Sequence, residues 1–153
     1  MLPSQARRFA VLAATLALGF GPAGAAGLPE SVKGPIEARV VAVVDGDTLM
    51  VRARPWVGME VETKVRLLGI DAPELKGRCA AERRRAKEAR AFLERAVGGN
   101  AVTLHDVRHD KYGGRVLARV ETASGKDCAR ALLDAGLARA YGGKQREPWC
   151  PND

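Results

Sequence analysis

The sequence predicts a small closed α+β barrel of about five strands with packing helices, on three observations. The apolar, β-branched runs EARVVAVV and TLMVRA flank the turn signal Asp45-Gly46-Asp47. Residues 63–68 then alternate with a period of two, and an amphipathic helical pattern follows over residues 80–97. Closure is expected because it protects the edges of short antiparallel strands and gives them one contiguous core. A doubly wound dinucleotide-binding fold fits poorly, since neither the regular βα rhythm nor its glycine fingerprint is present.

The first 25 residues are expected to lie outside this domain. Arg7 and Arg8 precede an apolar run from Phe9 to Phe20, and Ala23, Gly24 and Ala25 then supply small residues. This is the pattern of a secretory signal peptide cleaved after Ala25 or nearby, which places the protein in the periplasm or outside the cell. The run is shorter than the ~20 residues that span a bilayer. No second run suits a transmembrane helix, so a monomer without stable membrane association is expected after cleavage. Cleavage removes two arginines and no acidic residue, lowering the formal charge from +7 to +5. A basic exported domain fits a polyanionic partner, although a membrane surface or solubility accounts for charge alone.

Residues 26–35 read as a flexible Gly/Pro-containing lead-in, residues 36–143 as the folded domain and residues 144–153 as a tail. Two strands are expected to meet at Asp45-Gly46-Asp47. In the third, Thr63, Val65 and Leu67 share one face while Lys64, Arg66 and Leu68 share the other, so burying the first row presents Arg66 to a ligand. Ala89, Phe92, Leu93, Ala96 and Val97 form the apolar stripe of the first helix, opposite Arg83, Arg84, Lys87 and Arg90, and Gly98-Gly99 ends it. AVTLHDV and RVLARVE supply the last two strands. Asp127 can cap a second helix whose Leu132 and Leu133 face the core, with Gly136 as its stop.

Export permits a disulfide, and the preferred pairing joins Cys150 in the terminal PWC segment to Cys79 ahead of the first helix. Cys128 falls among apolar helix positions and reads as a buried thiol. The cysteines and His105 and His109 form no compact zinc-ligand or nucleophile pattern.

The chemistry-bearing residues fall into VVDGDT (43–48), VRLLGIDAPE (65–74) and DKYGGR (110–115). A turn can aim one of Asp45 and Asp47 at a metal and the other at its supporting shell, and the proline between Asp71 and Glu74 stiffens a loop holding two more carboxylates. Such a cluster costs charge repulsion, which Ca²⁺ offsets through oxygen ligands at about 2.3 to 2.6 Å. Arg66 and Arg115 suit the charge that builds on phosphorus during phosphodiester attack. Lys111, Tyr112 and Tyr141 offer phosphate contacts and base stacking. Each residue taken singly has an ordinary reading, as a hairpin turn, loop cap, surface ion pair or packing aromatic.

Together, in this order and with GLARAY (136–141), the motifs resemble those of the staphylococcal nuclease, or thermonuclease-like, family, from about Ile36 to Tyr141. The resemblance implies an OB-type barrel and a Ca²⁺-dependent, endonucleolytic nuclease acting on DNA, RNA or both, leaving 3′-phosphate and 5′-hydroxyl ends. It implies Asp47, Asp71 and the Ala72 backbone carbonyl as metal ligands, Asp45 as the supporting carboxylate, and Glu74 as the group that orients or deprotonates water. It implies Arg66 and Arg115 as phosphate and leaving-group stabilisers, and Lys111, Tyr112 and Tyr141 as groove residues. Ala72 stands where threonine is familiar, which a backbone ligand tolerates. YGGR carries one glycine more than the shorter YGR form, and a local bulge is needed to return Arg115 to the site. The tail with Trp149 and Cys150 is expected to replace part of the packing of the family's long C-terminal helix. The competing readings are a noncatalytic OB-like nucleic-acid-binding module, for which the acidic cluster has no necessary role, and an envelope-associated structural domain.

Overall fold

The computed structural model describes residues 30–150, so the expected signal peptide and residues 26–29 lie outside the described residues. In chain order the elements are β1 (Ser31–Val32), β2 (Ile36–Asp45), β3 (Thr48–Trp56), β4 (Met59–Leu67), β5 (Ile70–Asp71), α1 (Ala80–Ala96), β6 (Ala101–His109), β7 (Arg115–Thr122), α2 (Cys128–Asp134) and β8 (Arg139–Ala140). The main sheet runs β1-β6-β2-β3-β4-β7, and β6 also pairs with β7, closing five long strands into a barrel. This is the expected five-stranded OB-type α+β architecture.

Two details differ from the expectation. The β4–β7 pairing is parallel, with Lys64 opposite Arg115 and Arg66 opposite Leu117, whereas antiparallel strands were expected throughout. Strand β6, which follows α1 and is antiparallel to both β2 and β7, carries the chain back to the end where β4 begins, which permits the parallel pairing. Ser31 and Val32, expected in a flexible lead-in, pair with Arg108 and Val107 of β6.

The barrel interior follows from the period of two. Val65 and Leu67 are fully buried while Arg66 between them faces the other way, and Leu49, Val51, Leu104 and Val120 complete the same core. Helix α1 adds Ala86, Ala89 and Leu93, and α2 adds Cys128 and Leu132. The side chain of Asp127 accepts the Arg130 N–H at 2.9 Å, capping α2 as its sequence position requires. Leu133 packs against the core from its margin.

The β2–β3 connection is a tight turn, since Asp45 pairs directly with Thr48. Gly46 lies against α1 there. A Cβ on it would stand 2.8 Å from the Ala89 Cβ and 3.1 Å from the Ala72 Cβ. The absent side chain thus lets the acidic turn, the Ala72 loop and the helix meet. Gly46→Ala is expected to lower stability by about 1 to 3 kcal/mol through overpacking, read as a drop in thermal midpoint, while Gly99→Ala, with open space around its Cβ, leaves the midpoint nearly unchanged.

Candidate active site

The barrel register brings the separated motifs together. Pairing of Thr48 with Arg66 puts the guanidinium beside Asp47, one residue before Thr48. The Leu67 N–H donates to the Asp47 carbonyl at 2.8 Å, tying the turn to the end of β4. Strand β5 pairs with β8, Asp71 opposite Arg139, and so holds the start of the acidic loop. The Ala72 N–H then donates to Asp47 Oδ2 at 3.2 Å, linking the two acidic motifs directly.

Arg66 bridges them. Its guanidinium lies 2.9 Å from Asp47 Oδ2 and 3.3 Å from Asp71 Oδ1, and all three side chains are largely buried. Asp47 also accepts a hydrogen bond from Thr48 Oγ1 at 2.9 Å. Burial pushes the Asp47 carboxyl above its ordinary value, and Arg66 only partly counters this. Asp45 is raised too, first by burial and then by the neighbouring charges of Asp47 and Glu74, against the lowering effect of the Gly46 N–H.

A cavity of about 380 Å³ opens over this cluster, lined among others by Asp45, Asp47, Arg66, Ala72, Glu74, Tyr112 and Arg115. Arg115 reaches it despite the additional glycine: it begins β7 opposite Lys64, pairs with Asp110 and lies 5.0 Å over the Tyr112 ring. Asp71, Lys111 and Tyr141 do not line this cavity. Lys111 lies 5.1 Å over the Tyr112 ring, and Tyr141 borders a neighbouring recess with Asp71, its hydroxyl donating to the Lys144 carbonyl. A larger groove of about 770 Å³ runs past Arg39, Arg52, Glu60 and Thr103 but contains none of the sequence-derived site residues, so size does not mark the chemistry here.

Three groups in this region touch the site although the sequence reading assigned none of them to it. Glu82, in the first turn of α1, is buried and accepts the backbone N–H groups of Glu74 at 3.3 Å and Arg78 at 3.1 Å, which pins the loop carrying Glu74. Its position three residues after the Cys79 cap is where a reciprocal capping carboxylate belongs, and that spacing was available as a signal. Trp149 Nε1 donates to Asp71 Oδ2 at 3.0 Å, and its ring lies 3.9 Å beneath the Arg139 guanidinium. Arg146 pairs with Asp71 Oδ1 at 2.6 Å and with Glu74, and approaches the Ala72 carbonyl at 3.4 Å. Burial alone disfavours charge on Arg146, but the hydrogen bonds it donates to Glu74 and Asp71 outweigh it and raise its pKa. A lone arginine in a polar tail carries no signal of its own; the expected tail-to-body bridge was the available clue.

That bridge is present between Cys79 and Cys150, whose Cα atoms lie 6.0 Å apart, and Cys128 is a buried free thiol. Glu82 sits beside the two bonded sulfurs, but they offer no thiolate to a cation and its oxygens already serve the backbone, so this group anchors structure. The carboxylate cluster has the donor chemistry of a hard-cation site. Asp71 and the Ala72 carbonyl already converge on one positive group, the Arg146 guanidinium, and Asp47 adjoins them through Arg66.

The family model described as "Staphylococcal nuclease homologue" matches residues 64–149, more than half of the chain, beginning after Asp45 and Asp47. Among curated proteins the chain is similar to "Endonuclease YhcR" of Bacillus subtilis (strain 168), 32% identical over 121 residues, covering 74% of this chain and 10% of that protein. It is also similar to "Probable endonuclease LCL3" of Phaeosphaeria nodorum, 34% identical over 91 residues, covering 58% of this chain and 30% of that protein. The chain therefore spans well under half the length of these relatives. With its closed five-stranded barrel and the model match over β4 to Trp149, the protein belongs to the family of staphylococcal nuclease homologues.

Proposed function

We propose that the protein is a Ca²⁺-dependent nuclease that hydrolyses phosphodiester bonds in DNA, RNA or both, cutting internally to leave 3′-phosphate and 5′-hydroxyl ends. One observation carries this reading: Asp45, Asp47, Glu74, Arg66 and Arg115, drawn from three separate motifs, border a single open cavity. Family membership and the endonuclease names of both relatives support it. The expected leader supports action in the periplasm or outside the cell, as does a disulfide, which persists in oxidising compartments.

Asp47, Asp71 and the Ala72 carbonyl would hold the cation, with Asp45 as the outer carboxylate. When bound, Ca²⁺ would polarise a phosphate oxygen and neutralise the cluster. Glu74, the most exposed of these carboxylates, orients water and takes its proton as the water oxygen bonds to phosphorus and the P–O5′ bond breaks, the departing 5′-oxygen taking a proton from solvent to become the 5′-hydroxyl. Arg66 and Arg115 donate to the phosphate oxygens as negative charge accumulates, without forming a covalent intermediate. Tyr112 presents an exposed ring at the rim for a nucleotide base, and Lys111 and Tyr141 serve the strand further out. A cavity of about 380 Å³ suits one nucleotide of an opened strand better than a rigid duplex.

The test is cleavage of end-labelled single-stranded and duplex DNA and RNA by the purified protein, with EDTA and with added divalent ions. Glu74→Gln is expected to slow cleavage about 10² to 10⁴-fold and Arg115→Ala about 10² to 10³-fold, both retaining the fold by circular dichroism. Unaltered cleavage in Glu74→Gln would remove the proposed base. Arg66→Ala is expected to lose stability as well, by about 3 to 5 kcal/mol, because it leaves the buried Asp47 carboxylate without its charged partner.

A pH dependence follows from Asp45 and Asp47, whose carboxyls are raised above 3.8 mainly by burial. A raised carboxyl stabilises the fold fully below its unfolded value and loses that contribution as pH rises through its folded value. At neutral pH the ionised pair therefore weighs against the metal-free fold. Added Ca²⁺ is expected to raise the thermal midpoint most at neutral pH, with both the gain and calorimetric Ca²⁺ affinity fading on acidification before ordinary carboxylates titrate.

A further inference from the structure

The tail after β8 returns across the acidic cluster and is fastened there at several points. Cys150 is bonded to Cys79 at the start of α1, 71 residues earlier in the chain. Trp149 holds Asp71 Oδ2 at 3.0 Å, and Arg139 reaches the Pro148 carbonyl at 3.1 Å. These contacts leave Arg146 suspended over the loop 71–74, and its guanidinium reaches three oxygen sources at once: Asp71 Oδ1 at 2.6 Å, the Ala72 carbonyl at 3.4 Å, and the Glu74 carboxylate.

Those are two of the three oxygen sources assigned above to the cation, together with the carboxylate assigned to water. We propose that Arg146 is an intramolecular occupant of the cation site, delivered by a disulfide-anchored strap, and that a divalent cation binds by displacing it. The inference rests on the cation reading of this site. Its physical basis is charge competition: a guanidinium carries one positive charge spread over three nitrogens, whereas a divalent ion concentrates two at a point that hard oxygens can surround.

Two features make the occupant displaceable. The Arg146 side chain remains 39% exposed, so it can re-enter water without unpacking the core. Its partner Glu74 is half exposed, which weakens that ion pair by solvent screening. The bridge acts in the opposite sense, because tethering the tail keeps the guanidinium at high effective concentration over its partners. Reducing Cys79–Cys150 to two thiols, with two electrons and two protons from a dithiol that becomes a disulfide in exchange, lowers that concentration and shifts the competition toward the metal. The strap therefore couples cation affinity to the state of this bond.

A role for Arg146 as a third phosphate-binding arginine is the alternative, since it also lines the cavity beside Arg66 and Arg115. The two differ in what removal does. Loss of an internal competitor tightens cation binding, and loss of a phosphate ligand leaves cation binding alone and weakens nucleic-acid binding.

The deciding experiment is calorimetric titration of Ca²⁺ into the oxidised wild-type protein, Arg146→Met and the double variant Cys79→Ser/Cys150→Ser, each first melted without metal to verify folding. Arg146→Met is expected to bind Ca²⁺ up to about fivefold tighter than wild type and the double variant about two- to threefold tighter, in line with about 1 kcal/mol or less of competing interaction. Arg146→Lys, which keeps the charge, is expected to fall between wild type and Arg146→Met and replaces the latter should it not fold. Equal or weaker Ca²⁺ affinity in the Arg146 variants, with or without weaker binding of a single-stranded oligonucleotide, overturns the proposal. Unchanged affinity in the double-serine variant overturns the role of the bridge. Absence of Ca²⁺ binding in every form overturns the cation reading itself, a result distinct from binding that is indifferent to Arg146.

Discussion

Arg66 is held between Asp47 and Asp71, and this buried arrangement organises the rest of the site. Two aspartates cannot be withdrawn from water side by side without a compensating charge, because desolvation and mutual repulsion both favour protonation. The guanidinium supplies that charge and its planar fork reaches both carboxylates, which lysine could not do in the same way. Even so, Asp47 remains raised above its ordinary value, so the compensation is incomplete. An acidic cluster left short of positive charge suits the cation proposed above, and the tail arginine already places a positive group on Asp71 from within the chain.

The scaffold keeps these charges close by fixing backbone before side chains. Asp47 ends the β2–β3 turn directly before Thr48, whose register partner across the β3–β4 hairpin is Arg66, so the first half of the ion triad is a consequence of two successive hairpins. Asp71 belongs to a different pairing, with β8, and the Glu74 loop is pinned by Glu82 from the helix. Gly46 admits close contact among all three layers. Precision of this kind comes from packed elements and satisfied backbone groups, which hold functional side chains better than free loops do.

The barrel was legible because its strands obey a period of two with one face apolar, and Val65 and Leu67 around Arg66 are the plainest case. The first helix was legible from its stripe, and the second from Asp127 as a cap. The parallel closure of β4 onto β7 was not, since pairing direction depends on how the chain returns between strands and leaves no local pattern. Lys111 and Tyr141 share motifs with lining residues yet fall outside the lining, because proximity in sequence does not set the direction in which a loop side chain leaves the backbone.

Local order, the apolar periodicities and the set of chemical groups on offer were therefore written in the residues alone, since each depends on spacing along the chain. Convergence of Asp47, Arg66, Asp71 and Arg146 was decided by the fold, with 25 residues separating the Ala72 amide from its Asp47 partner and 74 separating Arg146 from the Ala72 carbonyl. Those contacts arise from barrel closure and a disulfide-held tail, and only three-dimensional packing could turn a polar terminal segment into the cover of an acidic site.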